Sequence, residues 1–213
     1  MAIQLGENPW LLIGLTCFEF LFIIIPALIS SKLEKKSFKD VINEMGFQKN
    51  DDIFIKTISG ICFGIVLFFF GNYIIIFFQE IIIRNIFGNE FVEAGEAGAI
   101  STSPLQPNNI QLMILIIIQL IIIGPCEESF FRGFLIKKLK TKLKLAYSII
   151  ISSIIFTLYH VPPFLVPLTT ILTFFGYYFT FGLILSLIYV YFDFSLIPCS
   201  IAHSIFNILI LLL

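Results

Sequence analysis

Six runs of apolar residues dictate what this chain can fold into. They lie at about Pro9–Ile29, Ile53–Ile83, Ile110–Ile136, Leu145–His160, Pro167–Phe192 and Leu196–Leu213. Several reach or exceed the ~20 residues that a helix needs to cross a bilayer. They are too long and too continuous for barrel strands, which alternate over about ten residues. Only 13% of the residues are charged, where soluble domains carry roughly 25%. The expected fold is therefore all-α, a polytopic transmembrane helical bundle. It has about six spans, or up to eight if the long second and fifth runs are split. Residues 1–213 are read as one integral-membrane domain.

The charges are segregated, and their placement sets an orientation. The loop Ser30–Asp52 and the residues just beyond it carry Lys32, Lys35, Lys36, Lys39, Lys49 and Lys56. The segment Arg132–Lys144 carries Arg132, Lys137, Lys138, Lys140, Lys142 and Lys144. Together these are 12 of the 13 basic residues. With six spans both groups fall on one side, which the positive-inside rule makes cytoplasmic, leaving both termini outside. No basic residue precedes Lys32 and no small-x-small site follows Ile25, so the first run is expected to stay as a span rather than act as a secretory signal. The stretch Asn85–Asn109, rich in Gly, Ala, Ser and Pro, is expected to be a flexible connection.

Composition also excludes classes. No basic stripe interleaved with aromatics occurs, so no nucleic-acid partner is expected. No internal repeat supports an inverted-repeat transporter. Cys17, Cys62, Cys126 and Cys199 form no CxxC pair and read as small buried apolar residues, not as a disulfide framework or a zinc site.

Ionisable groups within a bilayer cost roughly 2.5–3.5 kcal/mol each on insertion scales, so those present are candidates for function. The first cluster is Gly124-Pro125-Cys126-Glu127-Glu128-Ser129-Phe130-Phe131-Arg132. Glu128 and Arg132 stand four apart and can pair on one face, while Glu127 points about 100° away. Pro125 is expected to kink or restart the helix, which would put Glu127 near a helix N-terminus that favours a carboxylate. The second cluster is Phe156-x-x-x-His160, and the third is His203-x-x-x-Asn207 in the last run. Only two histidines occur, and both are here. A Glu beside a His can hold and deprotonate a water. A His–Asn pair can donate to a tetrahedral oxyanion. Gln119, eight residues before Glu127, could line the same cavity, or serve as polar packing. Glu19 stands as an isolated carboxyl in the first span, expected to bond a neighbouring helix.

The motifs Glu127-Glu128-x-x-x-Arg132, Phe156-x-x-x-His160 and His203-x-x-x-Asn207 occur in the order and rough spacing of the CAAX prenyl protease type II family, within the wider CPBP group of intramembrane proteases. The sequence resembles that family from about Ile118 to Asn207. The resemblance implies an endopeptidase with its catalytic core in residues 110–213. It implies Glu127 as general base, His160 as its partner in activating water, and His203 and Asn207 as oxyanion stabilisers. Glu128 and Arg132 would support them, with Phe156 and Gln119 near substrate. It further implies a cell-membrane protein with a site reached from the cytosol and a prenylated or membrane-embedded peptide as substrate. A non-proteolytic immunity or lipidated-peptide-binding protein of the same fold is the alternative. No cofactor is expected; zinc on Glu127, His160 and His203 is a chemically feasible substitute. Membrane lipid is the other partner, and the sequence does not fix an oligomeric state.

One tension stands in the sequence. By helix rise, Glu127 and His203 lie about 12–16 Å from the Lys-rich side, and His160 nearer to about 25 Å.

Overall fold

The computed structural model describes residues 3–47 and 52–213. Its helices are α1 (Pro9–Glu34), α2 (Phe38–Ile42), α3 (Ile53–Phe87), α4 (Asn89–Ala97), α5 (Asn109–Leu139), α6 (Leu145–His160), α7 (Leu168–Tyr191) and α8 (Leu196–Leu212). Helices α1, α3, α5 and α7 are long and apolar enough to cross a membrane. The apolar α6 and α8 are shorter, at 16 and 17 residues. The protein is a helical membrane bundle, and the two long runs do not split. Residues Phe54, Phe69, Phe70 and Tyr73 of α3 are exposed. On a water-facing surface such a patch would invite association, whereas in lipid it is ordinary.

Local chemistry fixes the helix starts. The Asn8 side chain accepts from the backbone N–H groups of Trp10 and Leu11, and Pro9 takes the first helical position, where its missing N–H costs nothing. Helix α5 opens on a reciprocal capping box. Asn108 Oδ1 accepts from the Gln111 N–H at 2.9 Å, and Gln111 Oε1 accepts from the Asn108 N–H at 2.9 Å.

Apolar surface gives helices no drive to associate in lipid, so close packing must supply it. Helices α3 and α8 run parallel and touch along a seam opened by Gly60 and Gly64. A Cβ on Gly64 would stand 2.7 Å from both the Ala202 carbonyl oxygen and Ile205 Cβ. Helices α5, α6, α7 and α8 enclose the main apolar core, which includes Phe131, Phe156, Leu185, Tyr189, Cys199 and Ala202.

The bundle has two distinct ends. At one end Lys36 pairs with Glu34 at 3.1 Å and Glu44 at 2.7 Å, Lys138 pairs with Glu34, and Lys137 donates to the Glu44 carbonyl at 2.6 Å. Both Lys-rich segments therefore sit on the same side, as the six-run topology requires. At the other end Ile3–Gln4 pairs in parallel with Ile100–Ser101. The stretch expected as a flexible connection departs from that reading, because α4 forms within it. Val92 and Gly95 bury against α7, and the Thr170 hydroxyl donates to the Gly95 carbonyl at 2.7 Å. The small residues that suggested flexibility instead permit close approach.

Gly64→Val is expected to overpack the α3–α8 seam and cost about 1–3 kcal/mol. Thermal unfolding in detergent should register this as a lower Tm, with Gly14→Val, which has open space around it, as the neutral control.

Candidate active site

Helix α5 carries Glu127, Glu128 and Arg132 through the middle of the bundle. It does not restart at Pro125. Ile123 and Gly124 keep helical dihedrals, and the Gly124 N–H bonds the Gln119 carbonyl five residues back. Wider turns of this kind span Gln119–Ile123 and Ser129–Ile136, on either side of the two glutamates. They relieve the clash and the lost donor that a proline brings to a helix interior. Glu127 therefore lies within a continuous helix, and the expected helix-end field is not what steadies it.

Glu128 and Arg132 form the ion pair expected from their spacing, and it is fully buried. Arg132 Nη1 donates to Glu128 Oε1 at 2.8 Å, Nη2 to the Gly182 carbonyl at 3.0 Å, and Nε to the Ser186 hydroxyl at 3.4 Å. The Phe156 ring lies 4.6 Å from the guanidinium carbon. Two charges taken out of water must be paired and hydrogen-bonded to be tolerated, and here Arg132 is held from three helices' worth of backbone and side chain. Glu128 Oε1 also receives His203 Nδ1 at 2.8 Å. A carboxylate held beside Arg132 can only accept, so His203 donates through Nδ1 and turns Nε2 toward Glu127.

His160 is oriented in the same sense by a different group. Its Nδ1 donates to the Phe156 carbonyl at 2.9 Å, and its ring packs between Phe156 and Tyr178, with centroids at 4.2 and 4.7 Å. The two imidazole Nε2 atoms each stand 3.9 Å from Glu127 Oε2. That is too long for a direct hydrogen bond and suits one bridging water. Glu127 Oε2 is buried without a protein partner. The arrangement gathers a carboxyl and two imidazole nitrogens around a volume the size of a water, which is what general-base hydrolysis needs.

The depth conflict resolves through the length of α5. The helix runs to Leu139, three residues past the expected end, which places Glu127 roughly 18 Å from the Lys-rich end by helix rise. Helix α6 packs alongside it, with the Ser152 hydroxyl on the Phe131 carbonyl at 2.6 Å. The reach of the Glu127 and His160 side chains covers the remainder.

Asn207 and Gln119 meet directly, Nδ2 to Oε1 at 3.0 Å. One Asn207 amide hydrogen is engaged by this contact, and the other is left to point elsewhere. Phe156 is buried and packs on Arg132 and both imidazoles, so it holds the site groups in place more than it offers surface to a substrate. Glu19 sits nearer the site than its isolation in the sequence suggested. Its Oε1 accepts from the Tyr159 hydroxyl at 2.5 Å, and both line the cavity that holds Glu127. The position of Tyr159 next to His160 was the available signal for it. The four cysteines are free; Cys126 and Cys199 are buried as expected, whereas Cys17 and Cys62 are exposed on the outer faces of α1 and α3. Among the described residues no group of three or more His, Cys, Asp or Glu is disposed as a metal cluster.

Glu19, Gln119, Glu127, Phe156, Tyr159, His160, Tyr178, His203 and Asn207 line one cavity of about 810 Å³, and Glu128 and Arg132 lie behind it. Its wall draws on Thr16 of α1, Gln119 of α5, His160 of α6, Tyr178 of α7 and Asn207 of α8, with Thr102 and Ser103 at the rim. The rim lies at the end of the bundle away from the lysines.

Residues 109–209 match the model of a family described as Rce1-like, type II CAAX prenyl endopeptidase. The matched segment begins with α5 and contains all three motifs, so the family is the one their spacing resembled. Neither the curated proteins nor the solved structures contain a match to the chain.

Removing one partner of the buried pair should be costly. Arg132→Met alone is expected to destabilise by about 3–5 kcal/mol, because Glu128 is left charged and unpaired. Adding Glu128→Gln should recover much of that loss, since Gln is neutral and can still accept from His203. Chemical denaturation of the single and double variants checks this; equal losses in both would contradict it.

Proposed function

We propose that this chain, whose residues 109–209 carry the type II CAAX endopeptidase domain, is an intramembrane endopeptidase that cleaves a membrane-tethered peptide with a water activated by Glu127. The observation that carries the reading is the convergence of His160 Nε2 and His203 Nε2 on Glu127 Oε2, each at 3.9 Å, while both Nδ1 atoms are tied away.

The chemistry follows from these contacts. A water between Glu127 and His160 loses a proton to Glu127 as it adds to the scissile carbonyl. The carbonyl oxygen takes up negative charge beside Asn207, which has an amide hydrogen free to donate; His203, whose Nδ1 proton is held by Glu128, adds a second donor at Nε2 only when that nitrogen carries a proton as well. An imidazolium at His203 would be held by Glu128 through Nδ1, as a buried carboxylate steadies the histidine of a catalytic triad. Glu127 then returns its proton to the leaving amine, so the carboxyl ends as it began and one water is consumed. Gln119 fixes the rotamer of Asn207, and Phe156 fixes His160. Low dielectric strengthens each of these interactions relative to water.

No metal is needed for this sequence of proton transfers. Zinc held by Glu127, His160 and His203 is the competing arrangement, and it makes the opposite prediction about chelation. The family description supplies the first substrate to try, a prenylated C-terminal peptide.

Purified protein in detergent should cleave a farnesylated Cys-a-a-X peptide. Glu127→Gln is expected to lower the rate by about 10²–10⁴, the scale of general acid–base catalysis, and His160→Ala by a similar factor. A chelator should leave the wild-type rate unchanged. Undiminished turnover by Glu127→Gln would refute the mechanism, and loss of activity on chelation would transfer it to zinc. Binding of the peptide without cleavage by the wild type would point to a non-proteolytic role.

A further inference from the structure

We infer that the site opens to the extracytoplasmic side of the membrane and takes a peptide presented from that side. Two expectations from the sequence collide here. The Lys-rich segments belong in the cytoplasm, and the resemblance to the CAAX proteases implies a site reached from the cytosol. The bundle geometry does not allow both.

The cavity occupies one half of the bundle. Most of its lining comes from the portions remote from the lysines, and Leu67 of α3, Leu185 of α7, Glu127 and His203 mark its floor near mid-bundle. It includes Thr16 near the start of α1, Gln119 in the first half of α5, and His160 at the end of α6. It continues with Phe174 near the start of α7 and Leu211 at the end of α8, and it reaches the exposed rim at Thr102–Ser103. The other half is closed. Between the catalytic groups and the lysines lie Phe131, Ile136, Ile149, Tyr189, Leu196 and Cys199, each no more than 9% exposed. Arg132, beneath Glu127 on the same helix, is wholly buried there. A peptide approaching from the Lys-rich end would have to part this core.

The charge on the two faces is lopsided. Lys32 lies in the last turn of α1 and Lys35, Lys36 and Lys39 follow it, while Lys137, Lys138, Lys140, Lys142 and Lys144 follow the buried part of α5. Among the described residues the only Lys or Arg on the cavity face is Arg84, paired with Glu80 at 2.7 Å, and Glu90, Glu93 and Glu96 lie on the same side. The positive-inside bias is counted on Lys and Arg near the span ends, and it puts the Lys-rich face in the cytoplasm. The cavity then faces outward. A prenylated tail made in the cytosol would meet the closed end, whereas a peptide segment in the outer leaflet or outside the cell would meet the open one.

What enters the cavity rests on the peptidase reading, but the side on which it opens does not. The test is therefore made on the intact protein with a readout separate from cleavage. In a background with Cys17 and Cys62 replaced by Ser, Ser103→Cys and Lys39→Cys are treated with a membrane-impermeant maleimide in spheroplasts, before and after permeabilisation. Thr102→Cys stands in if Ser103→Cys fails to accumulate. The rim position should label in intact spheroplasts, and Lys39→Cys only once they are opened. Attachment of a bulky maleimide at the rim should abolish cleavage in detergent, while attachment at Lys39→Cys should leave it unchanged. The reverse labelling pattern, or labelling of both positions from one side, overturns the inference. So does a rim adduct that leaves cleavage intact in a protein that Glu127→Gln inactivates. If no peptide is cleaved by the wild type, the labelling alone still decides the side.

Discussion

The Arg132–Glu128 pair is the interaction on which the rest of the site depends. It is an ion pair with no contact to solvent. Its surroundings are built to tolerate it. The Gly182 carbonyl and the Ser186 hydroxyl on α7 take two of its donors, and the Phe156 ring covers its face. Glu128 passes the constraint on to α8 by holding His203. One buried cation thereby sets the mutual positions of α5, α6, α7 and α8, and with them the spacing of both imidazoles from Glu127. Much of this arrangement stiffens the frame, and only Glu127, the two Nε2 atoms and the Asn207 amide are left facing open space.

Much of this was legible in the sequence because the bilayer makes polar residues conspicuous. The apolar runs gave the helices to within a few residues, since length and hydropathy alone decide a span. The i,i+4 spacing of Glu128 and Arg132 gave their pairing, because both lie on a single helix. The depth of His160 did not follow, because it depends on where α5 ends, and Lys137–Leu139 continue the helix despite their charges. The effect of Pro125 was misread for a related reason. Nothing local announces a wider turn, which forms only where Ser204 and the tertiary packing hold the Gln119 carbonyl. The Gly60-x-x-x-Gly64 spacing was there to be read as a close helix contact, but nothing in it names α8 as the partner. Glu19 bonds a neighbouring helix, as an isolated carboxyl in a span must, but nothing in the sequence names its partner Tyr159, 140 residues away.

The division of the bundle into a packed half and a hollow half has an energetic logic. Helices in lipid are held by close contact rather than by expulsion of water, so a cavity of this size removes contacts that must be replaced elsewhere. The replacement lies in the Lys-end core and in the α3–α8 glycine seam. Along that seam backbone atoms approach closely enough that even a methyl group would collide. Glu127 and the two imidazoles stand at the boundary between the halves, with the packed core on one side of them and the cavity on the other.

The two-residue pairing of Ile3–Gln4 with Ile100–Ser101 has a consequence for biogenesis. The first of these segments is made before its partner, which follows only after α1 and α3 have been synthesised. At about 5–20 residues per second, the first segment waits roughly 5–20 s for the second. Until then the rim has no wall on that side, and Glu19 has no Tyr159 to bond. A nascent chain stalled before α6 would thus present α1 to the membrane with Glu19 still lacking its Tyr159 partner.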